Sequence, residues 1–234
     1  MLDDAFEALK TYDWGTDRAP VAPIEAAVAA AHGKPADRED LEKRLLAALQ
    51  GDISRDAKGF VCRMLTIVGG VASVPILAAL LADDYLSHMA RYALERIQAP
   101  EAGQALLDSL PRLSSKLKIG IVSSLGSRGE ASAVTALSGL VMNDDASVAR
   151  AAARALGEIG NVEAAKALEA SSTSADETKR AVIDARLACA ERLLASNKNA
   201  VALGIYKSLA GDGQARLVRL AATRGMLSCA AKTA

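Results

Sequence analysis

The residues best suited to chemistry lie in one short stretch, from position 84 to position 96. The candidate group is Asp84, His88, Arg91 and Tyr92. The pattern predicts a helix over 84–97, and residues three or four apart on a helix share one side. A carboxylate, an imidazole, a guanidinium and a phenol on one side could contact a ligand or a partner, or transfer a proton. In the alternative interpretation, Asp84 caps the helix while His88 and Tyr92 fill junctions between helices.

Trp14 is the second candidate for contact with a partner. It is the only tryptophan of the chain and lies in a polar segment, Tyr12–Arg18. Buried against the first helices, it would close the N-terminal end of the fold. Exposed, it would be a binding hot spot, because tryptophan contributes a large contact area at interfaces.

Motifs of the common catalytic centres are missing from the sequence. It contains no G-x-S-x-G elbow, no phosphate-binding glycine loop, no H-E-x-x-H and no paired C-x-x-C. The cysteines Cys62, Cys189 and Cys229 lie far apart in apolar helical segments, which is typical of small buried hydrophobic residues. We therefore expect no enzymatic activity, no catalytic residues, no metal site and no cofactor.

Composition and charge narrow the possible partners. The 28 basic residues equal the 28 acidic ones, whereas nucleic-acid binders normally carry a basic surplus to neutralise phosphates, so we expect no nucleic acid as a partner. No stretch is apolar enough for long enough to span a bilayer, so no membrane is expected as a partner. The first residues are acidic and amphipathic, unlike a secretory signal, which leads us to expect a cytoplasmic protein or a segment of a longer one.

A repeat of about 30 residues runs from near position 54 to near position 173. In each copy a leucine ends a first helical stretch, a breaker follows, and a second stretch begins. The first column holds Leu65, Leu94, Leu125 and Leu156, and the columns of the second stretch hold Leu77, Leu107, Leu137 and Leu168, then Leu80, Leu110 and Leu140. We predict that the leucines of the Leu77 column are all buried.

These units predict an all-α fold, an α-solenoid of antiparallel helix pairs wound into a superhelix with divergent terminal caps. One helix pair cannot bury its own apolar face, so copies must stack. We expect a single solenoid over 1–234: a helical cap over 1–53, about four repeats over 54–173, and a longer helical cap over 174–234.

The fourth copy carries a resemblance to a known family. Residues 144–168 read DDASVARAAARALGEIGNVEAAKAL and resemble the short bacterial HEAT repeat known as the phycobilisome-lyase HEAT-like repeat. The family usually has an arginine directly after the valine, whereas here Ala149 occupies that place and Arg150 comes next. The resemblance implies an α-solenoid used mainly for contacts with other proteins.

The sequence thus favours a non-enzymatic protein-binding or scaffolding module with a protein partner. The second helices of the pairs are expected to line the binding surface, with polar groups from Gln104, Asp108, Ser109, Lys166 and Glu169. One alternative is a structural spacer excised from a longer multidomain protein. A more remote alternative is a HEAT-like DNA glycosylase, which would need a basic groove and stacking aromatic residues.

Overall fold

A computed structural model of the chain describes residues 1–172 and 175–231. Within these ranges the secondary structure consists of α-helices, short 3-10 helices and turns, with no strand, so the predicted all-α fold is confirmed. The chain divides into two compact units, unit 1 over 1–117 and unit 2 over 118–234. The predicted boundary between repeats and C-terminal cap, at 173 and 174, lies outside the described residues. No described helix is both long and apolar enough to cross a membrane.

Unit 1 is built from seven α-helices: α1 (Leu2–Ala8), α2 (Ala22–Ala30), α3 (Pro35–Gln50), α4 (Arg55–Val68), α5 (Val74–Ala79), α6 (Ser87–Arg96) and α7 (Pro100–Ser109). The first helices of consecutive pairs, α4 and α6, pack on each other, as do the second helices, α5 and α7. Helix α3 packs on α4 in the same way. Stacking of like on like is the packing of a repeat array.

Unit 2 begins within α8 (Ser115–Ser127), which belongs to it from Lys118 onward. Its other helices are α9 (Val134–Leu140), α10 (Ala146–Ile159), α11 (Val162–Ala170), α12 (Asp176–Ala195), α13 (Asn199–Leu209) and α14 (Arg216–Ala231). The first helices α10 and α12 pack closely, and α14 packs on α12 and α13. The close approach of α10 and α12 depends on Gly157, where an added Cβ would lie 2.8 Å from the carbonyl oxygen of Ala185.

The leucine column of the first helices is confirmed, because all four of its side chains are completely buried. The column of the second helices needs one correction. Leu77, Leu137 and Leu168 are buried, but Leu107 is only half-buried and Leu106 takes the core position. The spacing explains the difference: Leu94 follows Leu65 by 29 residues, and 29 residues after Leu77 the chain reaches Leu106.

The next column is also shifted. Leu80 and Leu140 are half-buried, whereas Leu81 and Val141 are buried along with Leu110. Each buried member lies four residues after its predecessor in the core, and a spacing of four returns to the same side of a helix.

Two of the first helices begin at a residue whose side chain caps the helix. Ser54 Oγ accepts from the N–H of Ala57, and Asp145 Oδ1 accepts from the N–H of Ser147. The predicted helix over 84–97 starts later, at Ser87, because Asp83 Oδ1 accepts from the N–H groups of the next turn and holds 84–86 as a non-helical turn.

One buried carboxylate of α3 accepts hydrogen bonds from residues just before α5. Glu42, only 9% exposed, directs its Oε1 at the N–H of Gly70 (2.7 Å), the N–H of Ser73 (3.0 Å) and the hydroxyl of Ser73 (2.6 Å). These donors precede α5, where N–H groups have no partner within the helix. The carboxylate therefore replaces a local cap that the sequence lacks there.

Candidate functional site

The loop after α1 holds Trp14 in an exposed position. Asp13 and Thr16 close a tight turn: the Thr16 hydroxyl donates to the Asp13 carbonyl (2.6 Å), and the Thr16 hydroxyl oxygen accepts from the Asp13 N–H (3.1 Å). Gly15 adopts a φ of +78°, which favours glycine. The Trp14 side chain is left 88% exposed.

The loop is fixed to α4 through its capping residue. Ser54 Oγ donates to the carbonyl of Tyr12 (2.6 Å) while accepting from the N–H of Ala57 (3.0 Å). The ring of Tyr12 packs on the buried ring of Phe60, with centroids 5.9 Å apart. Trp14 is thus presented by a loop that is anchored at the residue two positions before it.

A second exposed aromatic side chain, Tyr85, lies near this loop. The Arg55 guanidinium, in the first turn of α4, sits over the Tyr85 ring at 4.2 Å from its centroid, a cation–π contact. Tyr85 is 71% exposed and belongs to the turn organised by Asp83. We call Trp14, Arg55 and Tyr85, with the carboxylates of Asp13 and Asp83, the N-terminal patch.

Both carboxylates of the N-terminal patch have a pKa below the ordinary value. The N–H of Trp14, at 2.9 Å, is the largest cause of the lowered pKa at Asp13, the neighbouring Asp56 side chain is the next, and Arg55 adds a smaller effect of the same sign. The N–H groups of Leu86 and Tyr85 lower the pKa of Asp83, again with a contribution from Arg55. Arg55 therefore links the two loops electrostatically as well as through its stacking on Tyr85.

The predicted cluster on α6 is only partly assembled. His88, Arg91 and Tyr92 lie on α6, but Asp84 is in the preceding turn and does not share the helix. Arg91 Nη2 donates to His88 Nδ1 (2.9 Å), and its Nη1 lies 3.4 Å from Glu95. The Arg91 side chain is 14% exposed, and its burial lowers the pKa of the guanidinium.

Exposure at the α6 cluster varies from residue to residue. Asp84, His88 and Tyr92 are exposed, with Tyr92 at 41%. Arg91 instead occupies the column that holds Cys62, Val122 and Ala153, all of them buried. Contact of a partner with these residues stays a prediction.

Sequence reasoning missed Arg55 and Tyr85 as part of a patch. A signal was available, because the two residues are 30 positions apart, which is about one repeat. Residues at equivalent places in consecutive repeats are neighbours once the repeats stack. A comparison of the residues at the starts of α4 and α6 could therefore have indicated that Arg55 and Tyr85 are neighbours.

The cysteines are not candidates for chemistry. Cys62, Cys189 and Cys229 form no disulfide and are buried, as predicted for small hydrophobic residues. Burial raises the pKa of the Cys62 thiol to about 12 and that of Cys189 to about 11, so neither forms a thiolate near neutral pH. Among the described residues no group of three or more His, Cys, Asp or Glu side chains could hold a metal ion.

The surface predicted on the second helices is partly formed. In unit 2, Lys166 and Glu169 line a groove of about 350 Å³ between α11 and α13, and Arg186 Nη2 lies 3.9 Å from the Glu169 carboxylate. In unit 1, Gln104 donates to Asp108 (2.7 Å) on the exposed side of α7. Ser109 is buried and donates to the carbonyl of Leu106, so it does not belong to such a surface.

Comparison with known proteins identifies the repeats. Residues 103–188 match the family of HEAT repeats. None of the curated proteins is similar enough in sequence to count as a relative. Among solved structures, the complex of CpcE and CpcF of phycocyanin lyase from Nostoc sp. PCC7120 is 18% identical, with 98% of this chain and 94% of that chain covered at a TM-score of 0.47.

Two further solved structures are similar at the same level. An engineered protein is 17% identical, with 89% of this chain and 97% of that chain covered and a TM-score of 0.43. Human deoxyhypusine hydroxylase in complex with glycerol is 16% identical, with 98% and 96% covered and a TM-score of 0.41. The helix pairs of the described residues and the match of residues 103–188 to the family of HEAT repeats agree with the resemblance seen in the fourth copy.

Proposed function

We propose that the protein is a non-enzymatic binding module that contacts a protein partner through the N-terminal patch. The observation that carries the proposal is Trp14, a large aromatic side chain that is 88% exposed on a hydrogen-bonded turn. Tryptophan is enriched among residues that dominate binding free energy, and a loop whose backbone is already held by hydrogen bonds loses little entropy on binding.

The chemistry of the patch indicates what it would bind. Trp14 and Tyr85 offer two aromatic surfaces, and each has a carboxylate in its own turn, Asp13 beside Trp14 and Asp83 beside Tyr85. Arg55 is already stacked on Tyr85. A protein segment with an apolar side chain next to a lysine or arginine would cover the indole ring and pair with the carboxylates.

The groups of unit 1 that could transfer a proton support a binding role. Asp13 and Asp83 are engaged with backbone N–H groups, and both have lowered pKa values, which suit a structural carboxylate better than a general acid or base. Nδ1 of His88 is occupied by Arg91. These carboxylates and this imidazole therefore have structural partners already.

The test compares capture by the wild-type chain and by Trp14→Ala. Proteins of the native cell extract that bind only the wild type are identified, purified and remeasured by calorimetry against both forms. We expect affinity to fall about 30-fold or more with Trp14→Ala, the effect of losing a hot-spot residue. Helix content should be unchanged, because the indole ring packs on little of the protein.

Matched controls separate the N-terminal patch from exposed apolar residues in general. Ile67, also exposed in unit 1, is changed to Ala and should leave the affinity unchanged. Tyr85→Ala should weaken the same partner. If no purified partner distinguishes Trp14→Ala from the wild type, the proposal is wrong.

A further inference from the structure

Helix α14 presents an exposed leucine stripe, which we define as Leu217, Leu220 and Leu227. These side chains are 79%, 56% and 68% exposed. Spacings of three and seven residues place them on one side of the helix, opposite the buried face formed by Ala222, Gly225 and Cys229. A helix face that meets water is normally polar, so this stripe is an unusual apolar surface that remains largely exposed.

The same helix is basic. It carries Arg216, Arg219 and Arg224 and no acidic residue. Arg219 forms an ion pair with Asp212 in the preceding loop, at 2.5 Å. The sequence places Arg224 between Leu220 and Leu227 along the stripe.

A groove runs beside the stripe in unit 2. It has a volume of about 460 Å³ and is lined by Arg224, Ala221 and Ser228 of α14 and by Glu191, Leu194 and Tyr206 of the helices opposite. Gly225 lets α14 approach the Tyr206 ring, since an added Cβ there would lie 2.3 Å from ring carbons. Stripe and groove together make a surface long enough to follow several turns of a bound helix.

We propose that the leucine stripe of α14 binds an acidic amphipathic helix of a partner protein. The apolar side of that helix would cover Leu217, Leu220 and Leu227, and its carboxylates would pair with Arg216 and Arg224. This is recognition of a helix by a hydrophobic surface that carries complementary charge within it, at Arg224, and beside it, at Arg216. The surface belongs to unit 2 and is separate from the N-terminal patch.

Charge decides against two other occupants. A second copy docked through its own α14 would place arginines against arginines, because the helix has no carboxylate to offer. A lipid surface suits a helix with arginines at the edges of its apolar face, whereas Arg224 lies within the stripe. A protein carboxylate can reach that position and pair with it.

The test uses a synthetic helical peptide of about 18 residues, or five turns, with leucines at spacings of three and four and glutamates elsewhere. A matched peptide carries lysine at every glutamate position. Binding to the whole chain is measured by fluorescence anisotropy. The acidic peptide is expected to bind and the basic one not.

Three variants test the surface itself. Leu220→Glu should weaken binding of the acidic peptide by about tenfold or more, as expected for one leucine lost from an interface. Arg224→Glu should reverse the preference between the two peptides. Met142→Glu, at another exposed hydrophobic residue of unit 2, should change nothing. Circular dichroism should show the same helix content for all three.

Several results would overturn the proposal. They are equal binding of both peptides, binding unaffected by Leu220→Glu, no binding of either peptide, self-association of the chain that Leu220→Glu abolishes, and attachment to anionic vesicles that Leu220→Glu abolishes. Trp14→Ala should leave peptide binding unchanged. Failure of this inference is therefore distinguishable from failure of the N-terminal patch as a binding site.

Discussion

A single methyl group should have opposite effects at two glycines of unit 2. At Gly157 of α10, an added Cβ would lie 2.8 Å from the carbonyl oxygen, 2.9 Å from the Cα and 3.1 Å from the Cβ of Ala185. These neighbours are backbone atoms and a Cβ, which cannot move aside as the end of a flexible side chain can. At Gly204 of α13 nothing lies within 4 Å of the added atom.

The magnitude follows from two terms. Replacing glycine by alanine inside a helix stabilises it by about 1 kcal/mol at either position. Gly204→Ala should therefore raise the free energy of unfolding by up to about 1 kcal/mol. At Gly157 the same gain is opposed by overpacking, which costs about 1–3 kcal/mol, so that Gly157→Ala should be neutral to destabilising.

The difference between the two variants isolates the packing term, because the helix term is common to both. Urea unfolding followed by circular dichroism gives each free energy of unfolding. We expect Gly204→Ala to exceed Gly157→Ala by about 1–3 kcal/mol. Equal stabilisation by the two substitutions would refute the close approach of α10 and α12 at this point.

Further predictions concern the core, a buried carboxylate and a turn. Leu125→Ala should cost about 2–5 kcal/mol because it leaves a cavity, whereas His88→Ala, at an exposed residue, should cost less than about 1 kcal/mol and weaken partner binding; equal losses in urea unfolding would make His88 a packing residue. Glu42→Ala should cost about 2–4 kcal/mol by leaving the Gly70 N–H and the buried Ser73 hydroxyl without their acceptor, while Glu39→Ala, which removes an exposed ion pair with Lys43, should stay within about 1 kcal/mol in thermal unfolding. Because the pKa of Asp83 is lowered in the folded state, its contribution to stability is present above the unfolded pKa and is lost as pH falls through the folded pKa; Asp83→Asn should therefore flatten the acid side of a stability–pH curve, and an unchanged curve would contradict the assignment.

The sequence was sufficient for the fold because helical periodicity is a local property. Leu65, Leu94, Leu125 and Leu156 mark one position of a recurring helix, and all four are buried. A repeat that exposes an apolar side when alone must stack, whatever the details of its neighbours. Helix caps such as Ser54 and Asp145 are also local features, because each side chain accepts a hydrogen bond from an N–H group no more than three residues further along the chain.

The candidate site was harder to predict from the sequence than the fold, because it depends on which residues of different repeats come together. The sequence predicted that Asp84 and His88 share a helix. In the structure the Asp83 carboxylate accepts hydrogen bonds from the N–H groups of the next turn, and the helix begins only at Ser87. It left Trp14 between two interpretations, and the tertiary structure decides for the exposed one by tying Tyr12 to Ser54.

Local pattern thus determined the helices, their apolar sides and the HEAT-like repeat. Tertiary contacts alone decided the placement of Arg55 over Tyr85 and the exposure of the leucine stripe on α14. The physical reason is the separation along the sequence of the residues that interact. A helix is specified by residues three and four apart, whereas a surface patch is specified by residues that only packing makes neighbours.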